Sequence, residues 1–392
     1  MAKKTKKSTG PKPTPPSKPK TNSALLWSVN PLPGAGQYVN SVAISADASV
    51  LVAGTYYFNY GTAAHTVAAD QSFTVGVFAY SKSNLLLWKD EFSASEGVYW
   101  VAVSRDEQWA AAGGLELHGQ GFISAYNATT GVKLIDYKTS ARTNMVALNS
   151  NGSWLVAGAD SLYIFSRTGA TWNSVPRIIK CIQANDSVIS VAISGDGAWV
   201  VAGTLKGTVM LINNMAGATA SQVTWQLPGG SVHWMAMASD GSSFAAGGSD
   251  PNVYYFTVAG FQTTQAPAWT GALTGCTNCR SVAVSDDGTF VSAVANKGNA
   301  GMVFLFGPSG VLKWSHPTQY SPNSTSMDSL GKFVTVAAGY PDGSPGAFQY
   351  FNSAGQLLWS YPTSNMSWPM QISANANGIA AASDDSLVYY FS

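Results

Sequence analysis

Charge is scarce in this chain: only 10% of its 392 residues are Asp, Glu, Lys or Arg, against 46% hydrophobic and 12% aromatic side chains. What charge there is sits unevenly. Residues 1–22 hold seven of the 21 basic side chains (Lys3, Lys4, Lys6, Lys7, Lys12, Lys18 and Lys20) and no acid, so the rest sets 14 basic groups against 20 acidic ones, a net of −6. A mildly acidic body lacks the basic patch that phosphate neutralisation requires, so no nucleic acid is expected on it. Cysteine is scarcer still. Cys181, Cys276 and Cys279 make no disulfide framework for a protein of this length. The four histidines, His65, His118, His233 and His316, include no H-x-x-x-H pair, and no metal site is expected. No apolar run reaches the roughly 18 residues that a membrane-spanning helix needs, and no apolar segment follows the first lysines as a secretory signal would require. The expected location is cytoplasmic.

What is present is Gly (39 residues), small residues, and β-branched and aromatic side chains, the composition of a packed, strand-rich body. The Lys/Pro-rich segment 1–22 has too little apolar surface to offset its conformational entropy and is read as a disordered tail, with a possible anionic surface as its partner. Residues 23–392 are read as one domain, because they repeat. An apolar strand such as VAIS leads to a turn with Asp or Asn, a second strand such as VLVAGT, a variable loop and a third strand such as VMLIN. The second residue of the first strand recurs as Ala43, Ala102, Ala147, Ala192, Ala236, Ala283, Ser326 and Gln371, at intervals of 43 to 47 residues after a first interval of 59. The long interval is assigned to an insertion over residues 59–71. A period in the mid-forties built of short strands marks propeller blades, not helical solenoids.

A fourth, outer strand, often bearing Trp, follows the third: LLLWKDE, VTWQL, VLKWS and QLLWS. The last repeat ends at VYYFS without one, while LLWSVNP (25–31) near the start nearly copies LLWSYP (357–362). The expectation is therefore an all-β, eight-bladed β-propeller of four-stranded antiparallel blades, its ring closed by the N-terminal strand with Leu25, Leu26 and Trp27 buried. The turn residues Asp47, Asp106, Asn151, Asp196, Asp240, Asp287 and Asn377 are read as hairpin scaffold, not metal ligands.

The stretches YNATTGVKLIDY (126–137), FGPSGVLKW (306–314) and YFNSAGQLLWSYP (350–362) resemble quinoprotein-like (PQQ-like) propeller repeats, and SVAISGDGAWVVAGTLKGTVMLIN (190–213) resembles WD-repeat blades. The resemblance implies the architecture. Quinoprotein dehydrogenases of this fold use adjacent cysteines over the quinone and a calcium ion; no two cysteines adjoin here, so no cofactor is expected. The Gly-His and Trp-Asp dipeptides of WD repeats do not recur. Outer-membrane assembly lipoproteins are similar in size and blade number, but their lipoprotein signal is missing here.

In a propeller the connections that lead into the first strands meet around one mouth of the central channel. The residues three and two places before each repeat anchor supply the candidate ligand-binding set: Asn40, Tyr99, Trp100, Asn144, His233, Trp234, Arg280, Asn323 and Trp368. Aromatic rings there can stack on a ligand while the polar groups orient it. Tyr56, Tyr57, Phe58 and Tyr60 are expected on the same face and are read first as packing. Glu116, Asp160, Lys206, Asp250, Lys297, Asp342, Asp384 and Asp385 are expected as solvated loop charges, and no catalytic residue is assigned. Cys276 and Cys279 form C-x-x-C without the further ligands that zinc needs or the helix start of a redox motif, leaving a local disulfide or free thiols. The favoured function is a non-catalytic binding scaffold that holds a protein, peptide or glycan partner at the channel mouth. The alternatives are an enzyme with a site on that face (a degenerate quinoprotein, or a polysaccharide lyase or hydrolase) and a structural or assembly subunit tethered by its basic tail.

Overall fold

The computed structural model describes residues 25–34, 36–57, 72–219, 222–340 and 343–392. The tail 1–22, the insertion with Phe58, Tyr60 and His65, and Asp342 lie outside the described residues. The described residues are all-β apart from short helical turns, and their four-stranded antiparallel sheets are consistent with a β-propeller. Each sheet but the last runs up and down in sequence order, as in Val188–Ile193, Trp199–Thr204, Thr208–Asn213 and Gln222–Gln226. The first strands are Tyr38–Ile44, Gly97–Val103, Met145–Leu148, Val188–Ile193, Val232–Met237, Asn278–Val284, Pro322–Met327 and Ser367–Ile372. Each packs on the first strand of the next sheet, and Ser367–Ile372 packs on Tyr38–Ile44.

The second strands are continuous apolar runs because a sheet sandwiched between two neighbours has no wet face. Val50, Leu51, Val52 and Ala53 are all buried, as are Val200, Val201 and Ala202. The core is accordingly divided into clusters between successive sheets. One of them joins Val42, Leu51 and Phe78 of the first sheet to Ala380, Val388 and Tyr390 of the last.

Leu25–Val29 pairs antiparallel with Leu387–Phe391, in the register Trp27↔Tyr390 and Val29↔Val388. Trp27 stacks on Tyr390 at 5.4 Å and donates its indole N–H to Lys82 O at 2.9 Å. Leu26 corrects the sequence expectation. It is 56% exposed, because alternate side chains of a strand point to opposite faces and the outer face here meets solvent.

The hairpin turns carry a second correction. In the typical turn Asp196 Oδ1 accepts from Ser194 Oγ at 2.6 Å and from the Ala198 N–H at 2.9 Å, while the next residue, Gly197, takes the left-handed conformation with φ of 78°. In the last sheet that acceptor is Asn375, bonded by Ser373 Oγ and the Asn377 N–H, and not Asn377 itself; Ala376 takes the positive φ. Backbone bonds tie neighbouring turns to one another: Asp106 N to Ser150 O, Ser150 N to Gly195 O, Gly195 N to Ser239 O, Asp240 N to Asp286 O, Asp286 N to Ser329 O, Ser329 N to Ala374 O and Asn375 N to Ala46 O. At this end Arg105 forms a two-pronged ion pair with Asp286, four sheets further along the sequence.

Candidate functional site

At the opposite end of the first strands lies a cavity of about 440 Å³, within the usual range of ligand pockets (roughly 300–1,000 Å³). All nine residues singled out from the repeat line it, joined by Tyr56, Arg142, Met145, Ile189, Ser324 and Pro369. The repeat explains the convergence. Equivalent offsets in equivalent strands put their side chains at equivalent heights around one axis.

The aromatic members touch one another. Trp100 and Trp234 meet edge to face at 5.1 Å, and Tyr56 meets Tyr99 edge to face at 6.1 Å. Trp368 donates its indole N–H to Tyr56 Oη at 3.1 Å, and Tyr56 in turn donates to the Asp384 carboxylate at 3.1 and 3.2 Å. Asp384 was expected as a solvated rim charge; it is 1% exposed and serves this buried series of hydrogen bonds instead. Tyr99 donates to Glu96 Oε2 at 2.6 Å, and burial, aided by that carboxylate, pushes its phenol well above the ordinary range.

The polar members tie neighbouring sheets together. Asn40 Nδ2 donates to Tyr99 O at 2.9 Å, Asn144 Nδ2 to Val188 O at 2.9 Å, and Asn323 Nδ2 to Ser367 O at 2.9 Å and Gly339 O at 3.1 Å. His233 does the same work through Nδ1, 3.0 Å from Cys279 O, and its Nε2 lies 3.3 Å from Ser249 Oγ. Burial lowers the His233 pKa, the effect expected when the charged form loses water. A neutral ring with the proton on Nδ1 fits both contacts. Asn323 thus uses both amide N–H groups within the fold, and Asn40 and Asn144 use one each.

Arg142 was not legible from the repeat, since it lies five places before its anchor, outside the offsets that line the mouth. Its guanidinium sits 4.3 Å over the Tyr99 ring, its Nε donates to Asn144 Oδ1 at 3.0 Å, and its Nη1 is 3.8 Å from Glu96 Oε2. Tyr56, expected on this face and read first as packing, stands at the end of the second strand Val50–Tyr56, which brings it to the wall. Among the described residues no three His, Cys, Asp or Glu side chains gather as a metal site. Cys276 and Cys279 are free thiols, with burial raising the pKa of both, and Cys279 is fully buried against the second strand of the neighbouring sheet.

Residues 177–213 match the family described as WD domain, G-beta repeat, a stretch that spans one repeat of this protein. Among solved structures, the chain is similar to Chaetomium thermophilum Sqt1 bound to the N-terminus of the ribosomal protein L10, with a TM-score of 0.72 and 12% identity over 94% of this chain and 100% of that one. It is also similar to a second crystal structure of Sqt1 from the same organism, with a TM-score of 0.71 and 12% identity over 94% of this chain and 98% of that one. At such identity the likeness is one of fold. No curated protein matches the sequence.

Proposed function

We propose that this protein is a non-catalytic protein-binding scaffold: an eight-bladed propeller, its last blade completed by Leu25–Val29, that holds a peptide or protein segment in the cavity at the channel mouth. The observation that carries this reading is the convergence of Tyr99, Trp100, Trp234, Arg280 and Trp368, from four different sheets, on one largely apolar cavity. Rings fixed by edge-to-face packing and by hydrogen bonds to their polar atoms offer rigid apolar area at small entropic cost, which is what a binding surface needs. The first strands packed in sequence, with Ser367–Ile372 against Tyr38–Ile44, support the closed ring. The similarity to Sqt1, which carries the L10 N-terminus in one of its structures, supports a peptide as the kind of partner this fold can take.

The test is a peptide-display selection and a glycan array probed with the intact protein and with a Trp100→Ala, Trp234→Ala, Trp368→Ala variant. Because Trp368 also braces Tyr56, Trp100→Ala alone is run beside it, with thermal melts to show that each variant is folded. Peptide ligands that are lost by both variants support the reading. Ligands kept undiminished by folded variants overturn it.

A further inference from the structure

The cavity carries one charge that nothing in it answers. Arg280 stands at the head of Asn278–Val284, partly buried in the wall, and among the described residues its guanidinium has no hydrogen-bond or ion-pair partner. The other basic side chains of the lining are engaged. Arg142 is held by Asn144, the Tyr99 ring and Glu96, and both ring nitrogens of His233 have partners. No Asp, Glu or Lys lines the cavity among the described residues. A guanidinium withdrawn from water and left unpaired is costly, so an anion that enters recovers both attraction and hydrogen bonds. The fork of N–H groups matches the two oxygens of a carboxylate. One free cation also suits a monoanion better than a dianionic phosphate, which draws on several cationic or backbone donors. Beside it, the edge-to-face Trp100 and Trp234 pair offers apolar area to whatever flanks the anion.

We propose that the cavity takes a peptide segment bearing a carboxylate next to an aromatic or aliphatic side chain, with the carboxylate on Arg280 and its neighbour against Trp100 and Trp234. This deepens, and rests on, the reading of the mouth as a peptide-binding site. The carboxylate has two sources, the side group of an internal Asp or Glu or the free C-terminus of the peptide, and the test separates them.

An array of heptapeptides immobilised through their N-termini is probed in four arms: internal Glu with an amidated C-terminus, no acid with a free C-terminus, no acid with an amidated C-terminus, and internal Lys with an amidated C-terminus. The expected binders fall in the first two arms, and the arm that wins names the source. Arg280→Gln weakens the best of them at least about tenfold, as truncating one side of a hydrogen-bonded charge pair does. Best binders that are neutral and amidated or Lys-bearing overturn the proposal, as does a folded Arg280→Gln protein that binds within about twofold of the parent. If Arg280→Gln fails to fold, Arg280→Lys is read in its place: it keeps the charge and loses the fork, so weakening supports the pairing and unchanged affinity overturns it. Binding that survives Arg280→Gln and is lost on Trp100→Ala removes the carboxylate and leaves the mouth as the site. Binding indifferent to both variants, or no binder in any arm, removes both.

Discussion

Gly203 lies so close to Val232 of the following sheet that a Cβ built on it would come within 2.3 Å of Val232 Cγ1. The glycine at the end of the second strand recurs in this role: Gly54 faces Val98, Gly158 faces Val188 and Gly247 faces Cys279 at 2.4 to 2.6 Å. The repeated Ala-Gly of the sequence is therefore a spacing device that sets how closely neighbouring sheets approach. Gly203→Ala is expected to destabilise by about 1–3 kcal/mol through overpacking. Adding Val232→Ala should relieve part of the clash, so the double variant is less destabilised than the sum of the two single ones. Thermal melts of the four proteins check this.

The strand Leu25–Val29 makes a second prediction, split by the alternation of its side chains. Trp27, stacked on Tyr390 and bonded to Lys82 O, should cost about 1–3 kcal/mol as Trp27→Ala, whereas Leu26→Ser, on the exposed face, should stay within about 0.5 kcal/mol. Deleting residues 24–30 bares the edge of Leu387–Phe391 and should lower the melting temperature more than either substitution. An unchanged melt in the truncated protein would show that this pairing holds nothing together.

How much of this was legible in the sequence follows from what repeats. The strand order and the candidate lining were readable because each depends on an offset recurring every forty-odd residues, as with Asn40, Asn144 and Asn323. Single events were not. The pairing of Arg105 with Asp286 joins turns four sheets apart, and nothing local in either turn announces it. Val258–Thr264 forms a short helix capped by Thr257 within the link to an outer strand, where repeats allow any length. The asparagines line the cavity, but their amide donors turn inward to carbonyls, a choice made by three-dimensional neighbours that a polar residue type alone does not reveal.

His233 gives a pH prediction. Its ring is neutral, with Nδ1–H donating to Cys279 O, and burial depresses its folded-state pKa below the unfolded value of about 6.5. Below about pH 6.5 the unfolded protein therefore binds more protons at this site than the folded one. The stability this site contributes is present above that pH and is lost as the pH falls through the folded-state value. Melting temperatures recorded from pH 7.5 down to 5 should fall less steeply in His233→Gln, which keeps a donor near Cys279 O and removes the titration. Parallel slopes in the two proteins would deny the coupling.

Asn323 and Arg280 line the same cavity and should fail in opposite ways when altered. Asn323 donates to two carbonyls, Gly339 O and Ser367 O, and is nearly buried; Asn323→Ala leaves both oxygens without their donor, at a cost of about 1–3 kcal/mol. Asn323→Asp should be worse, because a carboxylate would face those oxygens with no proton to offer, and acidification should restore part of the loss by protonating it. Among the described residues Arg280 bonds to no group of the fold, so Arg280→Gln should leave the melting temperature near that of the parent while weakening the ligand. Melts and peptide titrations on the three variants separate the two positions: stability is expected to fall at position 323 and affinity at position 280. A large loss of stability in Arg280→Gln would mean that its guanidinium has work inside the fold after all.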